Sequence, residues 1–481
     1  MPIGVVAFHE TGVTVEFFVN GEKVAESKMP TPNPRTRVVE YQFTLDPAAY
    51  ADGPLLLTAT AQPKGEGHES RVLAELTLYA NSGGSLSIDH VLWADAENGS
   101  DETGDGTETS PFATLQKAVA EVAEGGTVYL KAGKNYKLTS LTKSKEKRWT
   151  TISSAPGLTA DDVHILTYGP DKSSSGRYGR SMVRWKNVSV YCDRPKAGYG
   201  NIMYFEKGML TWFDGSVIYD ANGRFAGTQP FNGKGAKVYL TDSLQRDLAN
   251  AGGGFQRNVK MKDICSDIFR AHSNLVAINV SIDTIDRGDT AAHPDFFQLH
   301  SPNGVEENLI VYNVRAVNMG AQGIFGGGGE VKDAAFVNIL LEKRPKDSHL
   351  KSQLTGTWTH VLFWNMTIDS QTFMFRRVAG LTEIDVRNCI FQNVTSEDPA
   401  HPGIRVQNSH FSSSKLKLGE NATQGDPEFV SQEESDYRLS KTSPAYQSGE
   451  PLPGVPADMD GYPYDPARPN RGAFSVSNPG K

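Results

Sequence analysis

Two stretches of this sequence repeat a set of groups able to move protons. Ser266-Asp267-Ile268-Phe269-Arg270-Ala271-His272-Ser273 matches Pro294-Asp295-Phe296-Phe297-Gln298-Leu299-His300-Ser301 at an offset of 28 residues, 295 less 267. Each copy carries an aspartate, then a polar residue three positions on, then a histidine. The segment from Asp283 to Asp295 adds Asp286, Arg287, Asp289 and His293. An imidazole or guanidinium beside carboxylates can take up or deliver a proton. Two carboxyls in unlike surroundings can divide the roles of acid and base. Asp263, Asp267, Asp286 and Asp289 also form the oxygen-rich set that calcium prefers. The structural alternatives are turn-capping aspartates and a solvated loop.

The elements that position these residues read as short strands. Side chains alternate between faces of a strand. Phe269, Phe297 and, a further 28 residues on, Phe325 therefore share one parity and are expected to point inward. Arg270 and His272, Gln298 and His300, and Gly326 and Gly328 share the other. If the copies are vertical neighbours about 4.8 Å apart, Arg270 meets Gln298 and His272 meets His300, with glycines leaving open floor beside them. Asp267 and Asp295 share the phenylalanine parity and belong at the strand entrance. Phe373-Met374-Phe375-Arg376 reads as a fourth copy, its register open by one residue.

A second repeat fixes the architecture. Val183 to Asn187, Val276 to Asn279, Ile310 to Asn313, Ala335 to Asn338, Leu362 to Asn365 and Asp385 to Asn388 are largely apolar strands, each ending in asparagine. From Asn279 the steps are 34, 25, 27 and 23 residues. Periods of that size mean stacked units, with variable loops between strands of fixed length. An asparagine amide donates to one coil, accepts from the next, and tolerates a left-handed turn. This ladder reading is preferred to glycosylation at Asn187, Asn279 and Asn365, the repeat asparagines that also begin sequons.

Residues 1–80 contain Val13 to Val19, an Asn20-Gly21 turn, and further short strands, which suggests a small sandwich. Asn81 to Ser85 reads as a linker, 81–87 in all. Leu115, Ala118, Val119 and Val122 form one helical face within about 113–124, stopped by Gly125-Gly126. The chain has 481 residues, a net charge of −8 and 38% hydrophobic residues. It therefore offers no broad basic surface for nucleic acid. No apolar run is long enough to span a membrane. The three cysteines, Cys192, Cys265 and Cys389, fit neither a disulfide framework nor a zinc spacing and read as buried thiols. The opening MPIGVVAFHE has no secretory pattern, which fits either a cytoplasmic home or a mature or excised form, and the domain types below favour the second.

Four regions carry a family likeness. "GSDETGDGTETSPFATLQKAVAEVAEGGTVYLKAG" resembles the N-terminal capping region of the pectate-lyase-like β-helix superfamily. The stretch from Asp426-Pro427 through Arg471-Gly472-Ala473-Phe474 resembles the closing tail of bacterial extracellular β-helix proteins. "HPDFFQLHS" resembles the His-x-Asp-x-x-Gln segments of β-helix polysaccharide enzymes. "VEFFVNG" with "YQFTLDPAAYADGPLLLTATA" resembles immunoglobulin-like modules found beside such catalytic domains.

The resemblance implies an all-β protein: a right-handed parallel β-helix over 88–475 behind an Ig-like sandwich. It implies secretion, a monomer, and an anionic polysaccharide as partner. The implied activity is a polysaccharide lyase cleaving beside uronates. His293, Asp295, His300, Arg270 and Arg376 are then the catalytic candidates. Gln298, His272, Arg287 and the basic run Lys343, Arg344 and Lys346 would bind substrate, with calcium at Asp263, Asp267, Asp286 and Asp289. The alternatives are an inverting hydrolase or epimerase using Asp267 with Asp295, or Asp289 with Asp295, and a non-catalytic glycan-binding or fibre protein.

Overall fold

The computed structural model describes the whole chain except residues 85–89, 139, 169–176, 194–199, 225–226, 233–235, 291, 300–303, 345–350 and 476–481. From Val91–Ala94 to Thr423–Gln424 the strands pair in parallel, each with its counterpart one coil away, in a right-handed β-helix. Val128, Ile152, Trp185, Phe213 and Leu240 form one inward column in continuous register. They are buried because a single strand has no other way to hide its apolar side. Identical ring types recur on successive coils. Phe336 and Phe363, for example, stack at 5.2 Å, an offset arrangement favoured by the ring quadrupole.

The asparagine ladder is present. Asn279 donates to Asn258 at 3.0 Å, Asn313 to Asn279 at 3.1 Å, Asn338 to Asn313 at 3.0 Å and Asn365 to Asn338 at 3.1 Å. All five hold φ between 50° and 54°, the left-handed geometry asparagine tolerates best after glycine. The ladder then changes partner. Asn388 instead donates to the Glu450 carbonyl at 2.7 Å, in the closing tail.

The residue before each of the last four ladder asparagines is apolar and faces out: Ile278, Tyr312, Val337 and Trp364 are in register. That column is buried by Val38 of the N-terminal module and by Leu452, Val455 and Tyr464 of the tail. Phe8 meets Tyr312 edge-on at 5.1 Å. Asn258 and Asn279 reach the Thr36 and Arg37 carbonyls at 3.0 and 3.1 Å. The N-terminal residues form two antiparallel sheets, one of Pro2–Val5, Thr31–Pro32 and Val39–Thr44, the other built on Val13–Val19 and Gly53–Pro63. They are thus packed onto the coil rather than strung beside it.

The short helix Leu115–Glu121 is capped by Thr114, whose hydroxyl accepts from the Lys117 N–H at 3.1 Å, and it buries Leu115, Ala118 and Val119. All three cysteines are free and buried. No helix among the described residues is long and apolar enough to cross a membrane.

Candidate active site

The two near-copies are adjacent rungs: Phe269 pairs with Phe297 and Arg270 with Gln298. The parity of the aspartates differs from simple alternation. Ile268 and Phe269 are both in the core, and so are Phe296 and Phe297. Two consecutive inward side chains mean the chain turns a corner there. Asp267 and Asp295 therefore lie on the same side as Arg270 and Gln298, opposite the phenylalanines. Arg270 confirms the side, since its Nε and Nη2 each reach Asp267 Oδ2 at 3.0 Å.

These carboxyls are outward yet covered. The Asp267 and Asp295 side chains are 3% and 0% exposed, while Arg270 and His293 above them are 55% and 58% exposed. The Asp295 N–H donates to Asp267 Oδ1 at 3.2 Å. With Arg270, this gives Asp267 two partners suited to a carboxylate. Burial still raises its pKa, with Arg270 working against the rise.

Asp295 is less well served. Neither of its oxygens accepts a hydrogen bond, and His293 Nδ1 lies 3.4 Å from Oδ2. Burial, then the charge of Asp267, push its carboxyl up to about 8; Arg270 and the nearby Gln298 amide, which is not in bonding geometry, act in the other direction.

His293 is held on three sides. Nδ1 faces Asp295, Nε2 lies 3.1 Å from Gln322 Nε2, and the ring meets Phe325 edge-on at 5.7 Å. The state of Asp295 decides what this imidazole can do. An ionised Asp295 accepts Nδ1–H and leaves the Nε2 lone pair as a base. A protonated Asp295 donates to Nδ1, so the ring's proton sits on Nε2, where it needs the Gln322 amide turned to present its oxygen, and the imidazole is an acid.

Phe325 is itself a correction. The third rung pairs Asp295 with Gln322, Phe297 with Ile324 and Gln298 with Phe325, so its offset is 27, not 28. Ile324 takes the inward place and Phe325 faces out. Gly326 is buried, with the Thr355 carbonyl 2.3 Å from where its Cβ would stand, and does not form an open floor. Phe373 to Arg376 is not the next rung either. Lys351–Leu354 intervenes, pairing Phe325 with Gln353 and Gln353 with Met374.

The remaining candidates scatter. Arg376 donates to Gln353 at 3.2 Å and Glu397 at 3.3 Å. Its partner Gln353 is three rungs from Arg270, about 14 Å at strand spacing, so Arg376 and Arg270 do not address the same sugar. His272 is half-buried against Gly254, with Nδ1 3.3 Å from the Ser273 carbonyl. Its expected neighbour His300 lies outside the described residues, as does Lys346. Arg287 and Asp289 are exposed on the loop.

Two members of the basic run are described close to the coil. Lys343 is 5% exposed, placed there by the end of its strand Glu330–Lys343, and Arg344 is paired with Asp286 at 2.9 Å.

Of the four aspartates proposed for calcium, Asp263 and Asp286 meet at Arg224, and no cluster of three metal-ligating side chains occurs among the described residues. Asp263 is paired with Arg224 at 2.5 Å; Asp286 lies between Arg224 at 3.4 Å and Arg344; Asp267 is engaged by Arg270. A guanidinium already holds each of these three carboxylates, so the donor set does not fit a calcium shell. Arg224 is 39 and 62 residues from its partners. Nothing in the local pattern marked it.

No family model matches the sequence, and no curated protein matches it. Solved structures with a similar coil include pectate lyase Pel9A, with 14% identity over 82% of this chain and 98% of that one, at a TM-score of 0.36. A Family 28 exopolygalacturonase of Yersinia enterocolitica shows 10% identity over 87% and 95%, at 0.37. A rhamnogalacturonan lyase shows 12% over 80% and 96%, at 0.31. Similarity at this level concerns the coil and assigns no residue a role.

Proposed function

We propose that this chain is a polysaccharide lyase that cleaves beside a uronate by β-elimination, with His293 as the base. The supporting observation is an exposed imidazole 3.4 Å from a buried carboxyl whose oxygens accept no hydrogen bond, beside Arg270 and Gln298 on neighbouring rungs. In this reading Arg270 and Gln298 hold the substrate carboxylate, and its neutralised charge makes the adjacent C–H more acidic. His293 Nε2, once the Gln322 amide has swung aside, takes that proton. The electron pair forms the C=C bond as the glycosidic C–O bond breaks, and the leaving oxygen takes a proton from water. Asp295 orients His293, and Asp267 positions Arg270.

Hydrolysis is less well supported. It needs two carboxyls that reach the glycosidic oxygen and a water, whereas Asp267 and Asp295 are covered by the very residues that face solvent. A polymer too large to enter a cell must be met outside it, so the reading carries an extracellular location.

The test is incubation with pectate, alginate, glycosaminoglycans and ulvan, following both the ultraviolet absorbance of an unsaturated uronate and new reducing ends. Absorbance should rise on at least one polymer and fall by about 10²–10⁴-fold in His293→Ala, the usual worth of a positioned base. Reducing ends without absorbance would mean hydrolysis. Neither signal on any polymer would remove the proposal.

A further inference from the structure

A second crevice lies on another face of the coil, where the closing tail crosses the strand Val305–Met319. It has a volume of about 280 Å³ and is lined by Arg315 of that strand and, from the tail, Asp436, Arg438, Asp460, Tyr462 and Phe474 among others. The tail presents these groups through a turn tied by Asp458. That carboxylate is 2% exposed and accepts from the N–H groups of Asp460 at 3.0 Å, Tyr462 at 2.9 Å and Ser475 at 2.7 Å. The turn is therefore fixed before any ligand arrives, which lowers the cost of ordering on binding.

Its groups are only partly engaged. Arg315 uses Nη2 alone on Asp460, at 3.0 and 3.2 Å, and both side chains stay about two-fifths exposed. Nε and Nη1 of Arg315 and the phenol of Tyr462 have no hydrogen-bond partner among the described residues, and Tyr462 is 49% exposed. The Arg315 guanidinium lies 5.3 Å from the Phe474 ring, which limits its movement.

We infer that this crevice is a second carbohydrate site, for one neutral glycosyl unit, separate from the His293 face. A sugar's adjacent hydroxyls can donate to Asp460 and accept from Arg315 at once. The apolar face of its ring can rest on Tyr462. Asp460 and Asp436 offset Arg315 and Arg438, so the crevice has no excess positive charge to draw a uronate. The volume lies just under the range of about 300–1,000 Å³ usual for larger ligands and suits a single ring.

The test is ligand-observed NMR and calorimetry on the full chain with galactose, xylose, rhamnose and galacturonate as probes. At least one neutral sugar should bind with a Kd on the order of millimolar. Tyr462→Ala and Asp460→Asn should each weaken it about tenfold or more, with thermal unfolding unchanged because both side chains are exposed. His293→Ala should leave this binding intact, which separates the two sites. Failure of every neutral sugar to bind, preference for galacturonate, or binding unchanged in both tail variants would overturn the inference.

Discussion

Substituting Asp295 by asparagine should change how stability depends on pH. The folded carboxyl is pushed up to about 8 from an ordinary 3.8. Between those values the native state holds a proton that the unfolded state has lost. Stability then falls as pH rises, by about 1.4 kcal/mol per pH unit while only the native state is protonated. The contribution is fully present below about pH 4 and lost once pH has passed about 8. Across the window the loss is on the order of 5 kcal/mol. Unfolding entropy scales as about 2 cal/mol/K per residue, which for a chain of 481 residues is about 1 kcal/mol per degree. The wild type should therefore melt about 5 °C lower at pH 9 than the rest of its charge would dictate. Asp295→Asn has no proton to lose and should show a flatter profile, with its stability relative to wild type rising with pH. The assay is scanning calorimetry of both proteins in steps from pH 4 to 9. Parallel profiles would refute the claim that Asp295 is buried beside Asp267 without compensation.

The same ionisation bears on catalysis. Because an ionised Asp295 keeps the ring proton on His293 Nδ1 and leaves Nε2 unprotonated, elimination should rise as pH increases through about 8, and a rate that fell over that range would reverse the assigned roles. Arg270→Gln should raise KM and lower kcat, by about tenfold or more in kcat/KM, because a charge-assisted contact is lost; unchanged kinetics on a uronate polymer would remove Arg270 from the site. Chelation should leave activity intact, since arginines already engage Asp263, Asp267 and Asp286, and loss of activity with EDTA restored by calcium would contradict this. Asn338→Ala should cost about 3 kcal/mol or more in denaturant unfolding, because it strands the Asn313, Asn365 and Ala457 groups it now satisfies; a cost below 1 kcal/mol would show the ladder to be incidental.

The asparagine repeat was readable because its cause is local. Each asparagine sits at the same left-handed turn, and a turn's demands fall on the residue that makes it. The same holds for Thr114 and the helical face after it, and for the near-copies at Asp267 and Asp295, whose equal lengths forced adjacent rungs. The strands ending at Asn279, Asn313, Asn338 and Asn365 also carried a sign that is clear in hindsight. They are apolar on both faces, which calls for a cover on the outside, and Val38 with the tail supplies it.

What the sequence determined by itself was the coil and the rung that carries Arg270 beside Gln298, because stacking repeats need only periodicity and parity. Tertiary structure alone decided the environment of each ionisable group. The corner at Phe296-Phe297 moved Asp295 to the outer side. A rung shorter by one residue put Phe325 against His293, and Lys351–Leu354, lacking the phenylalanine signature, entered the stack unseen. Arg224 and Arg344 claimed Asp263 and Asp286, two of the four aspartates read as calcium ligands. Such pairings depend on which side chains meet through space across loops of unequal length, and neither period nor spacing encodes that.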